Sequence, residues 1–437
     1  MMRGTAPMGH AGRSQGEGRE KRPPTRRWYD DLALNAYFFG LSFMWNALHP
    51  ILLPLVLLAF GEETKNTLYG LLTFAGLIVA LVTQPLSGAL SDYTRSRLGR
   101  RRPWILLGTL LDALWLVLIA LGQRWWLVAI AYLLLQFTSN VAHGPAQGLI
   151  PDLVPPGRRG IAAGFKNLLE MFAIVASALA MGRLSHQPLT AVMVILAILW
   201  GMMAITCGFS REPSTAEGER LGLQALRQRA GQVFRVEFRL YPSYGRLLLV
   251  RFFILLGSYS VQSFALYYFR DVLELPAPAR AMSDMMTVVG LSVIAVVYPA
   301  GVLSERWGRK ALSAVACALS ALGLTFLVLN RDPRLLPALA GCIGVGIGIF
   351  SCVNWAWATD LVPAAEAGKY LGLSNLATAG SAAVARLLGP AIDGVNHFFP
   401  KAGYSLVFLL AAASALVGLI LILRMPEGKA NTQAQTP

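Results

Sequence analysis

Long apolar runs separated by short charged stretches dominate the chain. Each run is about 20 residues or longer, which is enough for an α-helix to cross roughly 30 Å of hydrocarbon. Water is absent there, so the backbone of each run must hydrogen-bond within its own helix. The pattern predicts an all-α membrane protein with twelve transmembrane helices. The predicted spans are 32–60, 66–91, 104–122, 125–150, 161–183, 188–209, 244–270, 283–304, 310–329, 334–358, 367–390 and 402–424.

Composition supports a membrane protein over a soluble one. The chain is 55% hydrophobic and only 14% charged, whereas a soluble domain has about 25% charged residues. The net charge of +15 raises the question of nucleic-acid binding, but the placement of the charges argues against it. The positive residues are concentrated before the first span, between the second and third spans, and in the central loop.

The loops on the other side carry mostly single positive residues, such as Lys65, Arg124, Arg183 and Lys401. This is the positive-inside asymmetry, and it predicts that both termini are cytoplasmic. We expect a multi-pass protein of the plasma (inner) membrane, with the lipid bilayer as a partner, affinity for anionic lipid and no nucleic-acid partner.

The two halves of the chain repeat each other. Six spans per half is an even number, so both copies face the same side of the membrane. This predicts two six-helix bundles related as a parallel repeat, with a substrate site between them near mid-membrane. The matching segments are 88–92 (GALSD) with 301–305 (GVLSE), 99–101 (GRR) with 308–310 (GRK), and 152–155 (DLVP) with 360–363 (DLVP).

The pattern divides the chain into five parts. The central part either forms an interfacial helix, because apolar residues alternate there with arginines, or is a flexible linker. The parts are a disordered basic cytoplasmic tail (1–29), an N-terminal bundle (30–210), a cytoplasmic central loop (211–243), a C-terminal bundle (244–425) and a cytoplasmic tail (426–437).

A carboxylate, a glycine turn and a basic cluster follow the second span. These groups can form an ion-pair gate on the cytoplasmic side, or the arginines can serve topology alone. The recurrence of the same order in the second half favours the gate. The predicted gate residues are Gly88, Asp92, Arg97, Gly99, Arg100, Arg101, Asp152, Arg159, Glu305, Gly308, Arg309 and Asp360.

The segments QPLSGALSD (84–92) and SRLGRRRPWI (96–105) resemble the sucrose carriers, a branch of the glycoside–pentoside–hexuronide symporters within the major facilitator superfamily. The resemblance implies the major facilitator fold, alternating access, and proton-coupled symport of a sugar. The chain departs from that branch at Gln136 and Gln147, where the plant carriers have an aspartate and an arginine. It departs from the sodium-coupled relatives at Ala80 and Gln84, which weakens a sodium site.

Ionisable residues inside spans are costly, so they are candidates for coupling. Asp112 lies in the middle of span three, and Lys166 and Glu170 lie one turn apart in span five. Each has an alternative interpretation: Asp112 as a polar contact between helices, and Lys166–Glu170 as a structural ion pair. Arg251 and Arg386 are expected to extend toward the membrane surface.

Uncharged polar and aromatic residues within spans are the groups that a sugar needs, since hydroxyls require hydrogen bonds and the ring stacks on aromatic faces. The two histidines in this set could instead simply hydrogen-bond a neighbouring helix. The predicted substrate-binding residues are Trp45, Asn46, His49, Gln84, Asn140, His143, Gln147, Gln262, Asn354 and Trp355.

No phosphate-binding loop, nucleophile–base pair or metal-ligand spacing occurs in the sequence, so we expect neither an enzyme nor a cofactor nor a metal. We expect a monomeric secondary transporter, most simply a proton symporter of a di- or oligosaccharide or a glucoside. Two alternatives stay open: an exporter or uniporter of a non-sugar small molecule, and a non-transporting assembly factor or sensor with the same fold.

Overall fold

A computed structural model describes residues 27–210, 212–215, 242–330, 332–361 and 367–425, with only the backbone described for Pro156 and residues 367–373. Most of both predicted tails, and most of the predicted central loop with its candidate interfacial helix, lie outside these residues. The first helix begins at Trp28, so two residues assigned to the tail belong to it.

The described residues fold as helices. Eleven helices of the described residues are long and apolar enough to cross a membrane, which confirms the all-α membrane fold. These eleven are α1 (Trp28–Leu58), α2 (Lys65–Ser91), α3 (Arg102–Leu121), α4 (Trp125–Leu153), α5 (Arg159–Leu184), α6 (Pro188–Phe209), α7 (Pro242–Asp271), α8 (Pro278–Trp307), α9 (Arg309–Leu329), α10 (Leu336–Asp360) and α13 (Ala402–Leu423). Two further helices, α11 (Ala367–Arg386) and α12 (Gly389–Phe398), lie between α10 and α13.

The eleventh span is broken, which the apolar pattern did not predict. A single helix was expected over 367–390, but α11 ends at Arg386 and α12 continues to Phe398. Pro390 explains the break, because it has no N–H to donate to the carbonyl of Arg386 and its ring would clash with that carbonyl. The break leaves Arg386 at the end of a helix, inside the bundle.

A second irregularity lies in α1, where Leu48–Leu52 form a π-helical turn. Pro50 lies within it and cannot donate the hydrogen bond that an α-helix requires there, so the turn widens. The carbonyl of His49 instead accepts a hydrogen bond from the Tyr69 hydroxyl at 2.9 Å. The π turn therefore fixes His49 and ties α1 to α2.

The two halves pack their helices in the same order. In the first half α1 packs on α5 and α6, α4 packs on α2 and α3, and α3 packs on α6. In the second half α7 packs on α11 and α13, α10 packs on α8 and α9, and α9 packs on α13. Each relation in the first half returns six spans later, so the predicted parallel repeat of two six-helix bundles is confirmed.

Glycines allow the closest helix contacts in the first half. A Cβ added to Gly144 in α4 would lie 2.2 Å from the carbonyl oxygen of Gln84 in α2, with Gly88 beside it. Between helices in lipid there is little hydrophobic drive, so close backbone approach through small residues stabilises their packing. Gly88 therefore contributes to the packing of α2 against α4.

Two ends of the molecule are distinguished below. The arginine-rich face carries the α2–α3 connection (92–101) and the α4–α5 connection (154–158). The opposite face carries the α1–α2 connection (59–64) and the α7–α8 connection (272–277). The halves meet through α5 with α8, through α2 with α11 and α12, and through the π turn with α7.

Candidate functional site

A central cavity lies between the two halves and has two adjoining parts. The apolar part, of about 330 Å³, is walled mainly by α5, α7, α8 and α10. The polar part, of about 200 Å³, is walled by α1, α2, α7 and α11. Asn46, Tyr259 and Gln262 line both parts, so one ligand can contact the two together.

The polar part contains four of the predicted substrate residues: Trp45, Asn46, His49 and Gln262. The rings of Trp45 and His49 stack with centroids 4.8 Å apart and planes at 23°. His49 Nε2 lies 2.8 Å from the Tyr132 hydroxyl, which holds the imidazole in place. An aromatic face flanked by amide groups is an arrangement that can take a sugar ring.

The other predicted residues of the first half form a second polar group on α2 and α4, outside both parts of the cavity. His143 in α4 lies 3.5 Å from Gln84 and 3.2 Å from Gln147. Asn140 donates to the carbonyl of Gln136 at 2.7 Å. These side chains largely satisfy each other and do not line either part of the central cavity.

Asn354 and Trp355, on α10, surround Arg251 of α7. Arg251 donates to Asn354 Oδ1 and to Thr378 Oγ1, both at 2.9 Å, and lies 5.8 Å from the Trp355 ring. Asn354 is thus occupied by an internal partner. Arg251 does not extend to the membrane surface as expected; it is held between α10 and α11 by neutral groups.

Arg386 also departs from the expectation of a surface-directed side chain. It lines the polar part of the cavity, because the helix break after it places it there. Its Nη1 donates to the carbonyl of Thr73 at 3.3 Å, which joins α11 to α2 across the two halves.

The candidate coupling residues lie in contrasting surroundings. Asp112 is fully buried and accepts a hydrogen bond from Thr138 at 2.5 Å, between α3 and α4. It lines neither part of the cavity. Lys166 and Glu170 form an ion pair of 2.7 Å, with one third of the Glu170 side chain exposed. These are the contacts of the alternative interpretations: a polar contact between helices for Asp112, and an ion pair for Lys166 and Glu170.

On the arginine-rich face, Arg101 ties α2 to α4. Its guanidinium contacts Asp92 at 2.5 Å and Asp152 at 2.9 Å, and donates to the Gly88 carbonyl at 2.9 Å. Arg100 pairs with Asp152 at 2.5 Å. Gly99 provides the turn, with a φ of +94° that disfavours any other residue.

Two other predicted gate residues of the first half lie apart from these ion pairs. Arg97 is exposed, and within the described residues no ion pair of its side chain is seen. Arg159 donates to the carbonyls of Val154 and Pro151 and so closes the α4–α5 turn.

The second half repeats the arrangement in reduced form. Arg309 contacts Asp360 at 3.2 Å and donates to Ser304, as Arg101 does to Asp152 and Ser91. Gly308 has a φ of +87°, which matches Gly99. Glu305 is exposed on the same face and makes no ion pair in the part of the chain that the structure describes.

Glu212, which follows α6, was not among the residues predicted from the sequence. Its carboxylate accepts from the backbone N–H groups of Arg101 and Arg102 at 2.9 and 3.2 Å, and so caps the first turn of α3. A carboxylate at a helix N-terminus is also favoured by the helix dipole. Arg158, just before α5, pairs with Asp31 of α1 at 2.8 Å.

A polar cluster joins the halves at the opposite face, and we call it the opposite-face cluster: Glu62, Lys65 and Asn66 with Arg270, Asp271, Asp393 and Tyr404. Lys65 pairs with Asp271 at 2.6 Å. Asn66 donates to Asp393 at 2.8 Å and to Tyr404 at 3.0 Å. All of the cluster except Arg270 lines an outer pocket of about 450 Å³.

Glu62 and Arg270 form the outermost pair of this cluster. The hydrogen bond from Arg270 lowers the pKa of the Glu62 carboxyl, and the charges of Lys65 and Arg270 act in the same direction. The ionised form of Glu62 is therefore the one that holds the halves together.

Comparison with protein families decides the class of the molecule. The model of the Major Facilitator Superfamily matches residues 34–385 and 247–437. The chain belongs to the major facilitator superfamily. This facilitator is therefore a multi-pass membrane transporter by family.

Its curated relatives include sugar carriers. It is 33% identical over 147 residues to a sucrose transport protein of Oryza sativa subsp. japonica, covering 28% of this chain and 26% of the relative. It is 30% identical over 148 residues to the proton-associated sugar transporter A of Mus musculus, covering 30% of this chain and 19% of the relative. The matched part thus spans about a quarter or less of these relatives. The resemblance to sucrose carriers is confirmed at modest identity.

Solved structures of similar fold cover nearly the whole facilitator. A D-xylose–proton symporter superposes with a TM-score of 0.67 at 17% identity, covering 92% of this chain and 99% of the other. A bacterial homologue of the human lysosomal transporter Spinster gives a TM-score of 0.70 at 15% identity, covering 94% and 100%. At these identities the likeness concerns the fold.

Sequence reasoning about this facilitator missed the groups that depend on helix breaks and on contacts between halves. The Gly389-Pro390 pair was a usable signal, because it predicts a break that places Arg386 inside. Tyr259 and the opposite-face cluster had no such signal, since nothing in a single sequence shows which side chains of α2, α7 and α12 meet.

Proposed function

We propose that this facilitator carries out proton-coupled symport of a di- or oligosaccharide or a glucoside by alternating access. The observation that carries the proposal is the polar part of the central cavity, where the stacked Trp45 and His49 face Tyr259 and Gln262 across the two halves. Sugar sites need such aromatic faces and convergent hydrogen-bonding groups. The sugar carriers among its relatives support the same assignment.

The arrangement of the halves supports one orientation and one state. If the arginine-rich face is cytoplasmic, as the positive-inside rule requires, then the opposite-face cluster closes the outer side. The ion pairs of Arg101 and Arg309 each join helices of one half, so they do not hold the inner side shut. We assign this conformation to the inward-facing state, with both termini cytoplasmic in the plasma (inner) membrane and the monomer as the working unit.

Glu170 is our choice for the coupling carboxylate. It is partly exposed, it pairs with Lys166, and its carbonyl accepts a hydrogen bond from Ser42 of α1 at 3.2 Å. Protonation of Glu170 would release Lys166, which lies 4.8 Å from the Phe38 ring. A change of charge at the α1–α5 contact can thus bias the position of the two helices.

A second function is favoured by the apolar part of the cavity. Four methionines line it: Met171, Met282, Met285 and Met286. Methionine-rich walls adapt to ligands of different shape, and such walls suit an exporter or uniporter of an apolar or amphiphilic compound. That class would ignore free sugars, so binding of sugars separates the two proposals. The ordered site between the halves gives no support to a non-transporting factor.

The test is uptake of labelled sucrose and maltose into proteoliposomes, with and without an inward proton gradient. We expect accumulation that depends on the gradient. A matched pair of variants, Gln262→Ala in the cavity and Gln123→Ala in the α3–α4 connection, separates the site from general damage. Uptake that never exceeds empty vesicles, from protein shown to be folded, would remove the sugar assignment and leave the fold in place.

A further inference from the structure

We infer that the preferred substrate is an acidic sugar, a glycoside or disaccharide whose carboxylate binds the guanidinium of Arg386. This rests on the proposed function and narrows its substrate class. The observation is a positive charge in the polar part of the cavity, where the other lining residues are uncharged or histidine: Trp45, Asn46, His49, Pro50, Tyr69, Tyr259, Gln262, Ser263 and Ala382.

Arg386 has unused hydrogen-bonding capacity. A guanidinium has five N–H donors, and within the described residues the Thr73 carbonyl is its hydrogen-bond acceptor. No carboxylate in that part of the chain lies within ion-pair distance of it. A charge inside a membrane protein is normally paired, so the missing partner is expected to come with the ligand.

The backbone fixes Arg386 in this place. Pro390 ends α11 at Arg386, and the carbonyl of Arg386 lies against Gly70 of α2 so closely that a Cβ there would be 2.3 Å from it. The side chain therefore starts from a rigid junction between the halves and cannot follow a helix to the membrane surface. Its position makes it a ligand contact present when the opposite face is closed.

The ion pair of Lys166 and Glu170 in α5 does not supply an anion for Arg386. Glu170 is matched by Lys166. Arg251, on the second half, is held by Asn354 and Thr378, which are neutral. Arg251 lines neither part of the cavity, so the excess positive charge of the lining is that of Arg386, and it attracts an anionic ligand.

The number of charges favours a carboxylate over a phosphate. One arginine lines the polar part, and a carboxylate carries one negative charge that a guanidinium binds through two parallel hydrogen bonds. A phosphate monoester carries nearly two charges at neutral pH. The adjoining apolar part, which shares Asn46 and Gln262 with the polar one, would take the aglycone.

Phenyl β-D-glucuronide and phenyl β-D-glucoside test this inference, because they differ only in a carboxylate against a hydroxymethyl group. Their binding to the full-length protein in nanodiscs is measured by calorimetry. We expect the glucuronide to bind about tenfold tighter or more, since hydrogen bonds between charged partners are roughly twice as strong as neutral ones. We expect the ratio to fall to near one in Arg386→Gln, to persist in part in Arg386→Lys, and to be unchanged in Arg280→Gln, an exposed arginine of α8 outside the cavity.

Each other outcome overturns the inference. Equal or tighter binding of the glucoside would leave sugar transport standing and reject the acidic substrate. A preference that survives in Arg386→Gln would reject Arg386 as the contact. Tighter binding of phenyl β-D-glucoside 6-phosphate would reject the carboxylate. Binding of neither glycoside to folded protein would reject the proposed function as well. The comparison of ligands on the unaltered protein stands even if the Arg386 variants fail to fold.

Discussion

Two carboxylates within the first six helices have opposite access to water. Glu170 is one third exposed beside Lys166, whereas Asp112 is fully buried against Thr138. A coupling carboxylate must exchange protons with both sides of the membrane in turn. Burial without a path to the cavity makes Asp112 a structural contact in our account, and exposure makes Glu170 the proton carrier.

Glu170→Gln should therefore reduce proton-driven accumulation of substrate to the level seen without a gradient, while exchange of substrate between the two sides continues. Asp112→Asn is the matched control, because it removes a carboxylate of the same membrane region and keeps its size. We expect it to retain accumulation and to change stability by less than about 1 kcal/mol, because the asparagine Oδ1 can still accept the hydrogen bond from Thr138. Uptake and counterflow in the same vesicles measure both. Loss of accumulation in Asp112→Asn alone would reverse the assignment.

At the scale of single residues, the sequence identified the polar residues within the spans but not which of them line the cavity. Trp45, Asn46, His49 and Gln262 line the polar part of the cavity as predicted. Gln84 and His143 instead contact each other and line neither part of the cavity. Which polar side chains of a span reach the cavity depends on how that helix packs against its neighbours. A single sequence does not specify those neighbours.

Among the residues of the arginine-rich face, Arg101 is expected to contribute most to stability. Its buried guanidinium has Asp92, Asp152 and the Gly88 carbonyl as partners. Removal of one member of a buried ion pair costs about 3–5 kcal/mol, and the lower end applies here because the Asp152 side chain is 16% exposed and the Asp92 side chain is 47% exposed. Arg101→Ala should thus lower stability by about 3 kcal/mol, whereas Arg97→Ala should change it by less than about 0.5 kcal/mol, as is usual at exposed sites. Thermal denaturation in detergent compares the two, and equal losses would contradict the role of Arg101.

Gly389 opens α12 where it contacts α2. A Cβ there would lie 2.1 Å from the Asn66 carbonyl oxygen, so Gly389→Ala should prevent the halves from closing at the opposite face. Gly394, in the same short helix, has free space around its Cα, and Gly394→Ala is the matched control. Spin labels at Glu63 and His397 report the separation of the halves. We expect a longer distance in Gly389→Ala only, and an unchanged distance there would contradict the contact.

The elements themselves were largely predictable. Apolar length gave the spans, because hydrocarbon requires a helix of about 20 residues. The exceptions are the break at Gly389-Pro390 and the π turn at Leu48–Leu52. Both arise from proline, and both place functional candidates, Arg386 and His49, in the cavity. Hydropathy does not reveal either irregularity, because a broken helix is as apolar as an intact one.

Over the whole molecule, closure of the opposite face should depend on pH through Glu62. The hydrogen bond from Arg270 lowers the pKa of Glu62 in the closed state. Its contribution to closure is therefore complete above the ordinary pKa of a glutamate and is lost as the pH falls through the lowered value. The charged groups that face Glu62 are Lys65 and Arg270, and Asp271 lies beside both.

Distances between spin labels at Glu63 and His397, followed from pH 7 downward, measure this dependence. We expect the open population to grow at acid pH in the unaltered protein. In Glu62→Gln the part of the dependence that comes from this pair should be absent, with more open population already at pH 7. Since the pair is largely exposed, the effect should be small and should shrink with added salt. Identical titrations of the two proteins would remove Glu62 from the closure.

The repeat in the sequence predicted two equivalent bundles, and the helix packing has that symmetry. The repeat did not predict the conformation, that is, which face of the molecule is closed. Which face is closed depends on a small free-energy difference between two packings of the same halves, and every local sequence feature is compatible with both. The contacts of Lys65, Asn66 and Gly389 decide it, and these residues are far apart in the sequence.

The most direct test of proton-coupled sugar transport is the internal pH of proteoliposomes when substrate is added outside, with no gradient imposed. A pH-sensitive dye inside reports it, and sucrose, maltose, phenyl β-D-glucoside and phenyl β-D-glucuronide are compared. We predict that at least one of them acidifies the interior, and that Glu170→Gln abolishes the acidification. Uptake of a sugar with no change of internal pH would contradict proton symport, and no response to any of the four, from folded protein, would contradict sugar transport itself.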